Sequence, residues 1–227
     1  MDDIRTPRRS VLAGVGAAVA AFAFGAGGAE AQAQRAVFQA ARHPQDEWFN
    51  QVPGRHRTII DCATPNTAAA GIYSANNLYE ANKTGYQLAD KDLAIVVCLR
   101  HFATPFAYTD AVWAKYGEAF GALLQFTDPK TKEAPTINVL NTSGYGPLLP
   151  NMGVTLSQLI ARGTQFAVCN MATQELSGIV AGRMKLDPKA VYNDFVSNLI
   201  PNSHLAAAGV VAVNRAQEYG YTLLTVV

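Results

Sequence analysis

Cysteine and charged residues are both scarce in this 227-residue sequence, and each scarcity excludes a class of protein. Three cysteines cannot form a disulfide scaffold, and their odd number leaves at least one thiol unpaired. Lys and Arg total 18 against 17 Asp and Glu, a net charge of +1, so no overall charge favours nucleic acid or an acidic membrane as a partner. Apolar residues are abundant at 49%, which excludes an intrinsically disordered chain and predicts a globular fold.

The motifs of several common enzyme classes are also missing. The sequence has no G-x-S-x-G elbow, no G-x-x-x-x-G-K-[ST] loop, no G-x-G-x-x-G fingerprint and no H-E-x-x-H pair. C-x-x-C is absent too, which argues against a thioredoxin-type dithiol. We therefore expect no cofactor. The alternative is a metal held by the three cysteines and His101, which requires separate strands to converge on one point.

The N-terminus has the layout of an export signal. Arg8 and Arg9 precede a weakly apolar run, Val11–Ala26, and the small residues of Ala29–Ala31 follow. A basic start, an apolar middle and a small-residue end are typical of a signal peptide, and paired arginines are typical of the twin-arginine type. We expect residues 1–33 to be cleaved and the mature protein to be periplasmic. The alternative is a membrane anchor, for which the run is short and interrupted by glycine.

Short apolar runs then alternate with stretches of helical spacing. This alternation predicts an α/β fold over residues 57–227, with a mainly parallel sheet flanked by helices and no membrane insertion of the mature chain. Residues 34–56 are polar and are expected to form an N-terminal arm. A long loop insertion is expected at about 108–153, since its second part, 127–153, contains four prolines. The predicted strands are Arg57–Cys62, Leu93–Leu99, Gln165–Cys169, His204–Ala208 and Tyr221–Val226. The predicted helices are Ala68–Asn82, Ala107–Phe120, Thr155–Ala161, Met171–Met184, one opened by Asp187 and Pro188, and Val210–Tyr219.

Each cysteine closes a predicted strand: Cys62, Cys98 and Cys169. If the strands are parallel, the three thiols lie toward the carboxyl edge of the sheet, where α/β proteins bind ligands. Cys169 is followed directly by a predicted helix, whose N-terminus favours a thiolate, so it is a candidate nucleophile or sulfur acceptor. The alternative for all three is a buried apolar role, which is favoured for Cys98 because it lies inside a continuous apolar run.

Further polar residues are predicted at the same edge. Arg100 and His101 follow the strand that contains Cys98, so Arg100 could stabilise a thiolate or hold an anion. His101 could accept the thiol proton or bind a metal; its alternative is a simple hydrogen bond to a loop carbonyl. Asp61 is either a base or a first-turn carboxylate, and His204 is expected at the opposite edge. The candidate site comprises a sulfur-accepting thiol, two tuning residues and two substrate-binding residues: Cys169, His101, Arg100, Cys62 and Asn170.

Two segments resemble a known family. The stretch Gly163–Met171, GTQFAVCNM, is similar to the G-v-x-f-x-v-C-x-n segment of DsrE/DsrF-like proteins. The segment Gly209–Leu224 resembles the closing helix and strand of that family, and the first predicted strand, helix and strand fall where its first βαβ unit would lie. The resemblance covers most of residues 57–226.

This family consists of small α/β proteins related to the sulfur-relay subunits of intracellular sulfur oxidation and transfer-RNA thiolation. The resemblance implies a homo-oligomer, often trimeric or hexameric, and a persulfide on Cys169, which is the one residue that matches the family's cysteine. The long insertion and the export signal depart from the family pattern. We therefore expect a periplasmic sulfur carrier or transferase that works with a sulfur donor or acceptor protein. The alternative is a non-catalytic subunit or small-ligand-binding module of an exported complex.

Overall fold

A five-stranded, entirely parallel sheet organises the residues that the structure, a computed structural model, describes, which are 39–226. The spatial strand order is β4-β3-β2-β1-β5. This architecture confirms the predicted α/β class. The expected signal peptide, residues 1–33, lies outside the described residues. The strands are β1 (His56–Cys62), β2 (Leu93–Leu99), β3 (Gln165–Cys169), β4 (Ser203–Ala206) and β5 (Thr222–Thr225).

Helices cover both faces of the sheet. One face of the sheet, with Ile60 and Val97, belongs to the core cluster that contains α2, α3 and α5. The alternate residues Ile59 and Val96 lie on the other face, in the cluster that contains α7 and the N-terminal arm. This alternation follows from the two-residue period of a strand. The helices are α1 (Trp48–Gln51), α2 (Pro65–Tyr86), α3 (Asp110–Leu124), α4 (Leu156–Ala161), α5 (Asn170–Met184), α6 (Pro188–Ser197) and α7 (Gly209–Glu218).

The strand β2 is an uninterrupted apolar run because it lies at the centre of the sheet. All seven of its residues are buried, because β1 and β3 pair with it laterally and helices close both faces. The predicted bounds, Leu93–Leu99, are those observed. The edge strand β5 is mostly exposed and is shorter than the predicted Tyr221–Val226, since only β1 pairs with it.

Some helices begin at residues other than the predicted ones, because local capping and neighbouring turns set their first residues. Thr64 caps α2, because its hydroxyl accepts the backbone N–H of Thr67 at 3.1 Å, and the Thr67 hydroxyl accepts the N–H of Thr64 in return. The helix predicted over Ala107–Phe120 begins later, at Asp110. A 3-10 segment, His101–Ala107, occupies the chain between β2 and this helix.

The region expected to be an insertion, 108–153, contains α3 and then an irregular loop. The buried carboxylate of Asp128 organises the loop, since it accepts the Tyr145 hydroxyl and the backbone N–H groups of Lys130 and Thr131. The side-chain amide of Asn138 donates to the carbonyls of two residues in the 3-10 segment and just after it, Phe106 and Tyr108, at 2.9 Å each. The first set of contacts holds the loop together, and the second attaches it to the segment between β2 and α3.

The described part of the N-terminal arm packs on the sheet face opposite α2. It forms a 3-10 turn, Pro44–Asp46, and the short helix α1. Trp48 stacks on the His204 ring with centroids 3.9 Å apart, and Phe49 is buried near Tyr221. Along the described residues, we find no helix with the length and apolar character that a bilayer crossing requires.

Candidate functional site

The topology singles out the carboxyl ends of β3 and β4 as the place to look for a site. Strands β1 to β4 step across the sheet in one direction, and the helices that follow the first three cover one face. The helix that follows β4, α7, covers the other face. Neighbouring strands whose chains leave to opposite faces mark the place where open α/β sheets bind ligands. The last residue of β3 at this place is Cys169.

Cys169 is the N-cap of α5. Its Sγ atom accepts a hydrogen bond from the backbone N–H of Ala172 at 3.3 Å, and no residue separates the strand from the helix. The side chain is 7% exposed. A sulfur in this position lies at the positive end of the helix dipole and accepts one backbone N–H. The predicted placement of this thiol at a strand end beneath a helix N-terminus is confirmed.

A buried hydrogen-bond chain fixes the backbone of this turn. The Thr173 hydroxyl donates to the carbonyl of Cys169 at 2.9 Å and accepts the hydroxyl of Tyr108 at 3.0 Å. Burial raises the pKa of Tyr108, so this phenol stays protonated and remains a donor. Sequence reasoning missed both residues, because Tyr108 approaches from a segment 65 positions away from Thr173.

Arg100 lies at this edge, but its guanidinium is already engaged. Its Nε and Nη2 donate to the two carboxylate oxygens of Asp61 at 2.6 and 2.8 Å. The pKa of Arg100 is raised, first by this hydrogen bond. Its aliphatic stem packs on Gly209 at the start of α7. The structure thus assigns Asp61 a partner that the sequence left open.

His101 lies at the same end of the sheet, but its side chain makes no hydrogen bond to any residue in the described range. It is exposed, and its ring stacks on Phe102 with centroids 4.1 Å apart. Its backbone φ is +52°, an uncommon value for a residue other than glycine. Asn170 is also committed, since its side-chain oxygen accepts the hydroxyl of Tyr192 on α6 at 2.9 Å.

Cys62 and Cys98 are fully buried in the core, whereas Cys169 lies at the rim of the core cluster that contains Cys62 and is 7% exposed. Cys62 is fully buried against Gly71 of α2, where an added β-carbon would lie 2.4 Å from Sγ. Cys98 is fully buried under α7 and donates to the carbonyl of Gly209 at 3.5 Å. Burial raises the pKa of both thiols. They pack on opposite faces of the sheet, and all three cysteines are free thiols.

Two exposed apolar side chains lie in the first turns of the helices that follow β3 and β4. Met171, in the first turn of α5, is 65% exposed, and Val210, in the first turn of α7, is 61% exposed. His204, expected at the opposite edge, belongs to β4 and lies under Trp48. Within residues 39–226, no group of three His, Cys, Asp or Glu side chains is arranged to hold a metal ion.

A cavity of about 400 Å³ is lined in part by Tyr108. It is lined by residues from the irregular loop and α4, among them Asn138, Asn141 and Ser157. The side-chain oxygen of Asn141 accepts both the backbone N–H and the hydroxyl of Ser157, at 3.1 and 2.6 Å. This volume is within the range of small-molecule sites.

No protein-family model matches the chain, and no curated protein matches it. The functional argument therefore depends on the chemistry of the residues around Cys169.

Proposed function

We propose that this protein is a periplasmic, DsrE/DsrF-like carrier that receives a sulfur atom on Cys169 as a persulfide and hands it to an acceptor. The observation that carries this proposal is the hydrogen bond from the Ala172 N–H to the Cys169 Sγ at the start of α5. The similarity of Gly163–Met171 to the family's cysteine segment supports it.

Three features of the site favour Cys169 as the sulfur-bearing residue. Its Sγ atom lies at the N-terminus of α5 and accepts a backbone N–H, and helix dipoles contribute about 0.3–1 kcal/mol to interactions with a nearby negative charge. Cys169 is also the most accessible of the three thiols, at 7% exposure against 0% for Cys62 and Cys98. Those two have a raised pKa and are poor nucleophiles. Of the three cysteines, Cys169 is therefore the candidate thiol.

The transfer needs no external oxidant. The Cys169 thiolate attacks the sulfane sulfur of a donor persulfide, the donor's S–S bond breaks, and the donor leaves as a thiolate. The new S–S bond leaves Cys169 with a terminal sulfur that carries the negative charge. An acceptor thiolate then attacks this terminal sulfur, and Cys169 leaves as the thiolate again.

The test is the mass of the protein after treatment with inorganic polysulfide. We expect a gain of ~32 Da, located on the Cys169 peptide, that dithiothreitol removes. Cys169→Ser should abolish the gain, whereas Cys98→Ala should retain it, because Cys98 is buried. A wild-type protein that gains no sulfur, or gains it equally after Cys169→Ser, would overturn the proposal. Cell fractionation and light scattering test export and self-assembly.

The cavity beside Tyr108 supports a second candidate, a small-ligand-binding module in which the cysteines have no chemical role. Its polar groups are amides, hydroxyls and the carboxylate of Asp110, which suit a ligand that donates hydrogen bonds through hydroxyl groups. Asn141→Leu would weaken ligand binding and leave persulfide formation intact, which separates the two functions.

A further inference from the structure

The cavity that Tyr108 lines in part combines one carboxylate, free hydrogen-bond donors and an apolar wall. Its volume is about 400 Å³. Four parts of the chain meet there: the start of α3, the irregular loop after α3, the helix α4 and the segment just before β4. In cavities that bind small molecules, a few polar groups on a mainly apolar lining fix the chemistry of the ligand. The polar groups of this cavity therefore indicate what it binds.

Backbone hydrogen bonds join the segments that form its walls. The N–H of Thr109 donates to the carbonyl of Asn198, and the N–H of Ile200 donates to the carbonyl of Ala107, at 2.9 Å each. These bonds attach the start of α3 to the segment before β4. Because the walls are joined before a ligand arrives, binding orders little additional chain and costs less entropy.

The start of α3 has backbone donors that no residue in the described range accepts. They are the N–H groups of Asp110 and Ala111, the first two residues of the helix, and both residues line the cavity. Thr109 is the N-cap, but its side chain accepts no N–H, and its Oγ1 atom is buried without a partner among the described residues. Buried polar atoms without partners are rare, and the residue that holds this one borders the cavity.

The loop side of the cavity adds a free amide and a further acceptor. Both hydrogen bonds to the Asn141 oxygen come from Ser157, and the side-chain nitrogen of Asn141 donates to no described residue. The Ser157 hydroxyl donates its hydrogen to Asn141, so its oxygen is left as an acceptor. This side therefore offers donors and an acceptor close together.

Asp110 is the one charged residue among the described residues that line the cavity. Its Oδ1 atom accepts the backbone N–H of Asn138 at 2.8 Å, while its Oδ2 atom accepts no hydrogen bond within the described range. Asp110 lies in the first turn of α3, where the helix dipole favours a negative charge. One carboxylate oxygen is thus available to a ligand that donates a hydrogen bond.

This combination favours a neutral ligand over a charged one. An anion would be repelled by the Asp110 carboxylate. A cation would be attracted by that carboxylate, but it would also meet the positive end of α3 and N–H groups for which it has no acceptor. A hydroxyl group both donates and accepts, so neighbouring hydroxyls can satisfy the carboxylate, the Ser157 oxygen and the free N–H groups together.

The remaining wall of the cavity is apolar. Ile160 and Ala161 belong to α4, and Ile200 and Pro201 precede β4. The C–H face of a saturated ring removes apolar surface from water when it packs on such a wall. A ring that carries several hydroxyl groups has both the apolar face and the polar edge that this lining requires.

We propose that this cavity binds a neutral cyclic polyol of the size of a monosaccharide. The inference rests on the second candidate function, the small-ligand-binding module, and names the class of its ligand. Asp110 and Ser157 accept hydrogen bonds from the ligand hydroxyls, and the start of α3 and the Asn141 amide donate to them. Binding involves none of the three cysteines.

The test is saturation-transfer NMR followed by titration calorimetry on the wild-type protein. The probes are three neutral polyols, D-glucose, D-galactose and myo-inositol, and the amino and phosphate derivatives of the two sugars. We expect at least one neutral polyol to bind with a dissociation constant below about 10 mM. Its charged derivatives should bind at least about tenfold more weakly.

Asp110→Asn tests the carboxylate. The amide retains an oxygen for the Asn138 N–H but removes the charge, so binding of the neutral polyol should weaken about tenfold or more, because hydrogen bonds to charged groups are the stronger ones. The same variant should discriminate less against the phosphate derivative. Unchanged binding of both probes overturns the role of Asp110 and with it the inference.

Ala111→Phe tests the location. Ala111 is exposed in the first turn of α3, so a larger side chain is tolerated there, fills the cavity mouth and should abolish binding. The matched control is Ala122→Phe, which is exposed near the other end of the same helix and lines a different cavity; it should bind like the wild type. Equal binding by the two variants overturns the inference.

The remaining outcomes separate this inference from the proposed functions. Failure of every neutral polyol to bind overturns the inference. Binding of the charged derivatives alone also overturns it, but that result retains the ligand-binding module with another class of ligand. Persulfide loading of Cys169 is measured separately on the wild type, and its absence overturns the sulfur-carrier function without affecting the cavity.

Discussion

Gly209 and Arg100 are in such close contact that a β-carbon on the glycine would lie 2.3 Å from the Cβ of the arginine. The first turn of α7 thus rests directly on the chain leaving β2, and the Cys98 thiol donates to the carbonyl of the same glycine. Only a residue without a side chain permits this approach.

We therefore expect Gly209→Ala to lower the free energy of unfolding by about 1–3 kcal/mol, since an overpacked atom must displace Arg100 or α7. Urea denaturation measures the loss. Gly178→Ala, in the interior of α5, is the control, because nothing lies within 4 Å of its added β-carbon. That substitution should raise stability by about 0.5–1 kcal/mol. Equal effects at the two positions would show that the contact is not tight.

In the native protein, one thiol should react ahead of the other two. Cys169 retains some exposure, whereas Cys62 and Cys98 are completely enclosed and their pKa is raised by burial. Brief treatment with N-ethylmaleimide should add one label, on the Cys169 peptide, and treatment in denaturant should add three. First labelling at Cys62 or Cys98 would contradict the described burial.

The loop after α3 depends on the contact between Tyr145 and Asp128. Although burial opposes it, the Tyr145 hydroxyl and the backbone N–H groups of the following turn hold the pKa of Asp128 below its usual value. Tyr145→Phe should cost about 1–3 kcal/mol at neutral pH, because a largely buried carboxylate loses a donor. A lowered pKa stabilises the fold above the unfolded value and loses effect as the pH falls. The difference between the variant and the wild type should therefore narrow as the pH falls below 3.8, the ordinary pKa of an aspartate; a constant difference would contradict this.

Stability should also fall when His204 is protonated. Burial lowers its pKa below 6.5, so the unfolded chain takes up the proton first. Protonation of His204 therefore does not affect the free energy of unfolding at pH 7.5. It lowers that free energy as the pH decreases through about 6.5. Thermal melts of the wild type and His204→Gln should show a larger loss between pH 7.5 and 5.5 in the wild type. Identical pH dependence would contradict the assignment.

Sequence reasoning worked best at the centre of the sheet. Leu93–Leu99 and Gln165–Cys169 have the predicted bounds, because strands buried on both faces leave an uninterrupted apolar signal. Edge strands and helix starts were less accurate. The helix α3 begins at Asp110 rather than at the predicted Ala107, because Ala107 ends the 3-10 segment His101–Ala107.

The candidate site was only partly predictable for a different reason. Cys62 and Cys169 both end a strand. Gly71 allows α2 to pack directly over Cys62, whereas Cys169 is the N-cap of α5. The pairing of Asp61 with Arg100 depends on how two strands 39 residues apart align laterally. Local patterns give the face of each residue but not this alignment.

The placement of β5 beside β1 has a consequence for how the molecule is made. Thr58 and Thr222 are lateral neighbours although 164 positions separate them. A ribosome that delivers the chain from its N-terminus must therefore leave the outer side of β1 without its partner strand until Thr225 has emerged. Such a distant pairing gives a high contact order, which slows the final closure. A nascent chain stopped before Thr222 would present that bare edge to the cell's proteases.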